Sequence, residues 1–235
     1  MTTPSVRRRV ANPLALAVLA CLWERPMYPY EITTTLRERG KEDSIRLNFG
    51  ALYAVIKQLE KHGLIGVDRV EREGNRPERV VYAITDDGRA EAVGWLRELV
   101  AVPAKEYPAF ETGLSLIGLL APDDAVARLH ERIAALDADV AAREAVLSSP
   151  QVRDVPEMFL VEATYRNAML RAEREFTAGL LARIEDGTLG GVDRWARWHA
   201  LLSRGATPDE LAAAISADLA PVSQQDGGEP ARGLG

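Results

Sequence analysis

The stretch NFGALYAVIKQLEKHGLIGVDRVEREGNRPERVVYAI, residues 48–84, decides the fold of this chain. Its first part predicts a helix, because apolar residues recur at i, i+3, i+4 and i+7. Asn48 is a suitable N-cap, and Gly63 is suited to the left-handed turn that ends a helix. The apolar positions of the helix are Leu52, Val55, Ile56 and Leu59.

The second part of the stretch predicts a two-stranded ribbon. Ile65–Glu71 and Arg79–Ile84 are rich in Val, Ile and Tyr, and the run GNRP at residues 74–77 supplies a turn between them. Residues 44–47 are predicted to form a short third strand. A helix followed by a ribbon with a basic tip is the plan of a winged helix.

The face of the helix opposite its apolar stripe predicts contact with DNA. The recognition helix, residues 48–62, would enter the major groove, and the basic wing, residues 66–84, would meet the backbone or the minor groove. For the helix alone, the alternative is a solvated face with two ordinary lysines. The candidate DNA-binding residues are Asn48, Gly50, Ala51, Tyr53, Ala54, Lys57, Lys61, Arg72, Asn75, Arg76 and Arg79.

Three motifs in this region resemble the PadR family of bacterial transcription regulators. They are YPYEITTTLRERG at residues 28–40, FGALYAVIKQLEKHGLI at 49–65 and GNRPERVVYAITDDGR at 74–89. The resemblance covers residues 13 to about 100 closely and continues more loosely to about 186. It implies that Tyr53 is the family's recognition-helix tyrosine and that residues 76–79 form the wing.

Composition and charge separate the chain into two parts. It has 235 residues, 47% hydrophobic and 27% charged, and no apolar run long enough to span a membrane, so we expect a cytoplasmic protein. The single cysteine, Cys21, lies in an apolar run and is expected to be a buried thiol. Residues 1–90 have a net charge of +3 and residues 91–235 of −9. This asymmetry fits a DNA-binding part joined to an acidic part with another role.

The predicted fold is mainly α. A winged helix-turn-helix domain of three helices and a two- to three-stranded wing is followed by an all-helical hairpin dimerisation domain. The predicted divisions are a mobile arm at 1–11, the DNA-binding domain at 12–103, the helical dimerisation domain at 110–187, an appended helical pair at 188–220 and a disordered tail at 221–235.

The helical part carries apolar stripes with the narrow spacing of a coiled-coil seam. We expect a homodimer formed through them, and packing within one subunit is the alternative. By resemblance to the family, the first helix also contacts the partner subunit. The candidate dimerisation residues are Leu16, Leu129, Ile133, Leu136, Val140, Tyr165, Met169 and Phe176.

No motif in the sequence predicts an enzyme. The three histidines have no metal-ligand spacing, paired acids lie at helix starts, and no nucleotide-binding or hydrolase motif is present. We therefore expect no cofactor and no metal.

Two functions remain. The first is a dimeric, ligand-responsive repressor that binds double-stranded DNA at a near-palindromic operator; the second is a winged-helix protein-interaction or assembly module without specific DNA binding. By resemblance, a small aromatic or hydrophobic effector near the domain junction would release the DNA. Candidate pocket residues, for which an ordinary core role is the alternative, are Trp95, Tyr107, Phe110, Trp195 and Trp198.

Overall fold

The computed structural model of the chain describes residues 12–45, 47–72 and 78–219. It divides the chain into two compact units, residues 1–106 and 107–235. The predicted arm at 1–11 and tail at 221–235 lie outside the described residues. The predicted fold class is confirmed, because the described residues are mainly helical and include a two-stranded antiparallel sheet.

The described part of the amino-terminal unit contains four α-helices and one hairpin. The helices are α1 Pro13–Glu24, α2 Pro29–Glu38, α3 Phe49–Lys61 and α4 Asp86–Ala101. Asn12 caps α1 and Asn48 caps α3, their side chains accepting from the backbone N–H of Leu14 and Gly50 at 3.0 and 2.8 Å. Each such cap contributes about 1 kcal/mol.

The apolar stripe of α3 faces the core of this unit, as its spacing predicts. Its four stripe residues are all buried and pack with apolar residues of α1, α2 and α4. Helix α1 is buried on several sides, as its nearly continuous apolar sequence requires. Full burial of one such side chain stabilises the fold by roughly 1.5–3 kcal/mol, so this core holds α3 firmly in place.

The wing is an antiparallel hairpin of β1 (Ile65–Glu71) and β2 (Arg79–Ile84). Its register pairs Ile65 with Ile84 and Glu71 with Arg79, with an irregularity between Val67 and Arg69. Gly63 has a φ of 70°, which fits the predicted left-handed end of α3. The chain reverses there and enters β1.

The predicted strand at residues 44–47 is wrong. The backbone N–H groups of Ser44 and Ile45 donate to Lys41 O at 3.3 and 2.9 Å, which folds these two residues into a turn after Lys41–Asp43. Met27 joins the sheet instead. Its N–H donates to Tyr82 O and its O accepts from Tyr82 N–H, at 3.0 and 2.9 Å.

Thr85 connects the end of α3 to the start of α4. Its hydroxyl donates to Gly63 O at 2.7 Å and accepts from Gly88 N–H at 3.0 Å, so Thr85 is the N-cap of α4. Its backbone N–H donates to Leu64 O at 3.1 Å. Asp86 and Asp87 occupy the first turn of α4, where their carboxylates interact favourably with the positive end of the helix dipole.

The described part of the carboxy-terminal unit consists of helices and turns. Its helices are α5 Ala109–Ser115, α6 Pro122–Leu147, α7 Pro150–Arg153, α8 Val161–Glu185, α9 Val192–Ser203 and α10 Pro208–Leu219. Helix α5 ends at Ser115, because Leu116 N–H donates to Gly113 O and a 3₁₀ turn follows at Ile117–Leu119. A capping box begins α10, with Thr207 N–H donating to Glu210 Oε2 at 2.8 Å.

Helices α6 and α8 form the predicted hairpin. Leu129 and Leu136 of α6 are buried, as are Leu181 and Ile184 of α8. Ion pairs between the two helices fix their register, although exposed pairs contribute at most about 1 kcal/mol each. They are Arg132–Glu173, Asp137–Arg174 and Glu144–Arg171, and a hydrogen-bond contact between His130 Nε2 and Glu185 Oε1 also joins the two helices.

Cys21 should be almost unreactive in the folded protein. Burial raises the pKa of its thiol from 9.0 to about 11, so very little reactive thiolate exists at pH 8. We expect a disulfide reagent at pH 8 to modify the native thiol at least about 100-fold more slowly than in denaturant. Because the pKa of the Cys21 thiol is higher in the folded chain than in the unfolded one, the contribution of the buried thiol to stability is present below pH 9 and is lost as the pH rises towards 11. Equal labelling rates in native and denaturing buffer would contradict the burial.

Candidate nucleic-acid interface

The outer face of α3 is exposed over its whole length. Gly50, Ala54, Lys57 and Lys61 are open to solvent, and the Tyr53 side chain is 50% exposed although it is large and aromatic. No carboxylate in the described ranges lies within ion-pair distance of Lys57 or Lys61. Two unneutralised lysines on one helix face suit contacts with phosphates.

Asn48 and Ala51 have structural roles as well as positions near the N-terminus of α3. The side chain of Asn48 is occupied as an acceptor for the Gly50 N–H. Ala51 is half-buried and packs against the amino-terminal core. Of the residues predicted for this end of the helix, Gly50, Tyr53 and Ala54 are therefore the more accessible ones.

The arginines of the wing differ in how far they are neutralised. Arg69 contacts Asp68 Oδ2 and Glu71 Oε1, each at 2.7 Å, and these bonds raise the pKa of its guanidinium above the ordinary value. Arg72 lies 3.5 Å from Glu78. Arg79 has no carboxylate partner among the described residues. The predicted contacts Asn75 and Arg76 lie outside the described residues.

Arg79 is positioned by an aromatic ring. Its guanidinium lies 5.3 Å from the ring centroid of Tyr28, within the range of a cation–π contact. Strand β2 supplies Arg79, and the residue before α2 supplies Tyr28. Tyr28 was not predicted as a site residue, because sequence spacing does not show that residues 28 and 79 meet.

A cleft lies between α2, α3 and β2, with a volume of about 390 Å³. We call it the tyrosine cleft, since its lining includes Tyr28, Tyr30, Tyr53 and Tyr82. Burial, and then the nearby Glu60 and Tyr53, raises the pKa of Tyr82. A tyrosine phenol is protonated at neutral pH and can donate a hydrogen bond.

The predicted effector-pocket residues mainly have packing roles within their own units. Trp95 is buried in the amino-terminal core. The guanidinium carbon of Arg132 lies 3.6 Å from the ring centroid of Phe110. Trp195 Nε1 donates to Leu120 O at 2.8 Å. Trp198 is half-buried, and Tyr107 is exposed. These contacts account for Trp95, Phe110 and Trp195 without a ligand.

The predicted dimerisation residues fall into two groups. Leu129 and Leu136 are buried against α8 within one chain, and Ile133 and Val140 are half-buried on the same helix. Leu16 is half-buried and packs against the amino-terminal core. The residues of α8 instead remain open to solvent, with exposed fractions of 66% for Tyr165, 52% for Met169 and 57% for Phe176.

The described residues hold no group of three or more His, Cys, Asp and Glu side chains arranged to bind a metal. None of the helices in the described ranges combines the length and the apolar character needed to cross a bilayer.

Residues 18–93 match the model of the transcriptional regulator PadR-like family. The matched segment begins within α1 and ends within α4, so it contains α3, the wing and the tyrosine cleft. This segment of the chain is PadR-like. Among curated proteins, no sequence matches the chain significantly.

Several solved structures share the fold of this chain. Bacillus subtilis PadR in complex with operator DNA is 20% identical, with a TM-score of 0.57 over 73% of this chain and 98% of that one. The same protein in complex with p-coumaric acid is 19% identical, with a TM-score of 0.59 over 73% and 98%. Streptococcus mutans smu.1604c is 20% identical, with a TM-score of 0.51 over 73% and 99%. At these identities the similarity shows the fold.

Proposed function

We propose that this PadR-like regulator acts by binding DNA sequence-specifically through the outer face of α3 and the wing. The observation that carries the proposal is the set of unneutralised cations on these two elements. Lys57, Lys61 and Arg79 have no carboxylate partner in the described part of the chain. Other cations of the same unit are paired: Arg39 contacts Glu24, and Arg69 contacts Asp68 and Glu71. Phosphates are the partners that such cations select.

The roles of the two elements follow from their shapes. Helix α3 presents Gly50 and Ala54 next to Tyr53, and small residues let a helix backbone approach base edges in the major groove. The wing places Arg79 beside this helix, where a duplex backbone would run. The amino-terminal unit would therefore supply both base reading and phosphate anchoring.

We propose that the protein forms a homodimer, which binds a near-palindromic operator and acts as a repressor. The support for the dimer is the exposed apolar face of α8, made by Tyr165, Met169 and Phe176. A two-fold dimer places two recognition helices about one helical turn apart, roughly 34 Å, or a multiple of that distance. Burial of the α8 face between subunits would remove an apolar surface that a monomer leaves in water.

An aromatic effector is part of the proposal. The structural relative from Bacillus subtilis has been solved both with operator DNA and with p-coumaric acid. The proposed response of this chain is analogous: a small aromatic molecule binds and lowers the affinity for the operator.

Fluorescence anisotropy with DNA from upstream of its own gene tests the proposed function. We expect the protein to bind this duplex on the order of 10³-fold more tightly than a composition-matched scrambled duplex. Titration over salt separates this preference from general phosphate attraction, which weakens steeply as salt rises. Footprinting on that duplex would then locate the operator. Absence of binding to either duplex at low salt would favour the protein-interaction alternative.

Phe176→Glu should convert the proposed dimer into monomers. A charge buried without a partner in an apolar interface costs several kcal/mol, so we expect the dimer dissociation constant to rise at least about 100-fold. Sedimentation equilibrium measures this constant. The matched control is Leu202→Glu, an exposed leucine of α9 outside the α8 face, which should leave the dimer intact. An unchanged dimer of Phe176→Glu would contradict the assignment of the interface to α8.

A further inference from the structure

The backbone of Tyr28 is fixed against the wing by its neighbours. Met27, which precedes it, pairs with Tyr82 of β2 through hydrogen bonds of 3.0 and 2.9 Å. Pro29, which follows it, restricts residue 28 to an extended conformation, and Tyr28 has a φ of −89° and a ψ of 158°. The carbonyl oxygen of Tyr28 accepts a hydrogen bond from Ile32 N–H at 3.2 Å, within the first turn of α2. The sheet on one side and the helix on the other therefore anchor this residue.

The ring of Tyr28 restrains Arg79 without neutralising it. The ring is half-buried, and the guanidinium carbon of Arg79 lies over it, 5.3 Å from the ring centroid. A cation–π contact attracts the cation to the face of the ring. It uses none of the N–H donors of the guanidinium and adds no negative charge. Arg79 is thus held in the free chain while its charge and its donors stay available.

A carboxylate restrains an arginine in a different way. Arg69 of the same wing donates to Glu71 from Nε and to Asp68 from Nη1, each at 2.7 Å. These bonds order the side chain, but they use donors and neutralise the charge that a phosphate contact needs. An aromatic partner instead orders an arginine and leaves it free to bind an anion.

We propose that Tyr28 is a positioning residue for DNA binding, which holds Arg79 in the orientation in which it meets a phosphate. The role rests on the proposed function, because Arg79 is a proposed phosphate contact. Binding to DNA immobilises a long side chain with many rotamers, and this ordering lowers the affinity. Tyr28 supplies part of the ordering before DNA arrives and keeps its contact with Arg79 in the complex. Tyr28 itself needs no contact with the duplex.

Two substitutions at residue 28 separate the ring from its hydroxyl. In anisotropy titrations with the duplex from upstream of the gene, Tyr28→Leu should bind about fivefold more weakly than the wild type. Tyr28→Phe should bind almost as well as the wild type, because phenylalanine also attracts a cation to its face. Tyr28→Met, which also lacks a ring, should repeat the loss and replaces Tyr28→Leu if that variant does not fold. Equal losses in Tyr28→Phe and Tyr28→Leu would assign the effect to the hydroxyl and overturn the positioning role.

A double-mutant cycle separates positioning from general damage to the fold. In the Arg79→Ala background, Tyr28→Leu should cause no further loss of affinity, because no guanidinium remains to be positioned. In the Arg69→Ala background, the matched control from the same wing, Tyr28→Leu should still weaken binding about fivefold. Independent losses from Tyr28→Leu and Arg79→Ala would mean that the two residues act separately, and would overturn the role.

NMR of the full chain without DNA tests the restraint by itself. The Nε–H signal of Arg79 is identified by its absence in Arg79→Lys. Its relaxation should report a restricted side chain in the wild type and in Tyr28→Phe, and a mobile one in Tyr28→Leu. An Arg79 side chain that is equally mobile in the wild type and in Tyr28→Leu would overturn the proposal. Failure of the proposed function would instead appear as a restricted Arg79 in a wild-type chain that binds no specific duplex.

Discussion

Replacing Arg79 with alanine should weaken specific DNA binding by about 30-fold, since a charge-assisted hydrogen bond of about 2 kcal/mol is lost. The guanidinium of Arg79 has no described carboxylate partner and lies against Tyr28, which limits its freedom before DNA arrives. If Arg79 contacts a phosphate, the slope of log affinity against log salt should also fall by about one unit. The combined variant Arg76→Ala, Arg79→Ala should abolish measurable specific binding.

Arg69→Ala provides the matched control in the same wing. Arg69 already contacts Asp68 and Glu71, so its removal takes little positive charge from the surface that DNA meets. We expect less than a threefold change in affinity and no change in the salt slope. Anisotropy titrations of both variants against one specific duplex give the comparison. Equal losses for Arg69→Ala and Arg79→Ala would mean that wing charge acts only in sum.

Gly88→Ala should destabilise the amino-terminal unit by at least about 3 kcal/mol, the upper end of overpacking effects. A Cβ at this position would lie 2.0 Å from Leu64 O and 2.8 Å from Ile84 Cγ1. The first of these atoms is backbone and accepts a hydrogen bond from Thr85 N–H, so it cannot move aside cheaply. The first turn of α4 would have to shift away from the end of α3. Urea unfolding followed by circular dichroism measures the loss.

Gly94→Ala is the control within the same helix. Nothing lies within 4 Å of a Cβ built at Gly94, and alanine is the better helix former by about 1 kcal/mol. This variant should therefore be as stable as the wild type or slightly more stable. If Gly88→Ala were as stable as Gly94→Ala, the close approach of α4 to Leu64 would be wrong.

The local elements of the amino-terminal unit could be predicted from sequence because each has a local cause. The 3.6-residue stripe of α3, its cap Asn48 and the left-handed Gly63 depend on neighbours within a few residues. The prediction of a strand at 44–47 was wrong, because Met27 provides the third backbone segment of the sheet. Its pairing with Tyr82 joins residues 55 positions apart, and no local pattern marks it.

The candidate site needed the structure for a similar reason. The exposed face of α3 follows from helical periodicity, but the tyrosine cleft unites residues 28, 30, 53 and 82 from separate elements. The contact between Arg69 and Glu71 could have been predicted from the sequence, because residues i and i+2 of a strand lie on the same face. The contrast with Arg79 required the tertiary fold.

The apolar stripes of the helical unit were ambiguous in principle. A stripe with coiled-coil spacing looks the same whether it packs within one chain or between two. The structure uses Leu129 and Leu136 inside the hairpin and leaves Tyr165 and Phe176 exposed. The exposed residues of α8 are therefore the part of the predicted seam that we retain as a proposed interface between subunits.

Lysine footprinting tests the central claim, that the outer face of α3 binds DNA, most directly. The chain has four lysines, of which Lys57 and Lys61 lie on that face and Lys105 lies exposed outside it. Acetylation is quantified at each lysine by mass spectrometry, with and without a saturating duplex. We expect DNA to reduce labelling of Lys57 and Lys61 at least about tenfold and to leave Lys105 unchanged, since a phosphate contact buries the ammonium group. Unchanged labelling of Lys57 and Lys61 in a complex that anisotropy shows to be fully formed would contradict the account.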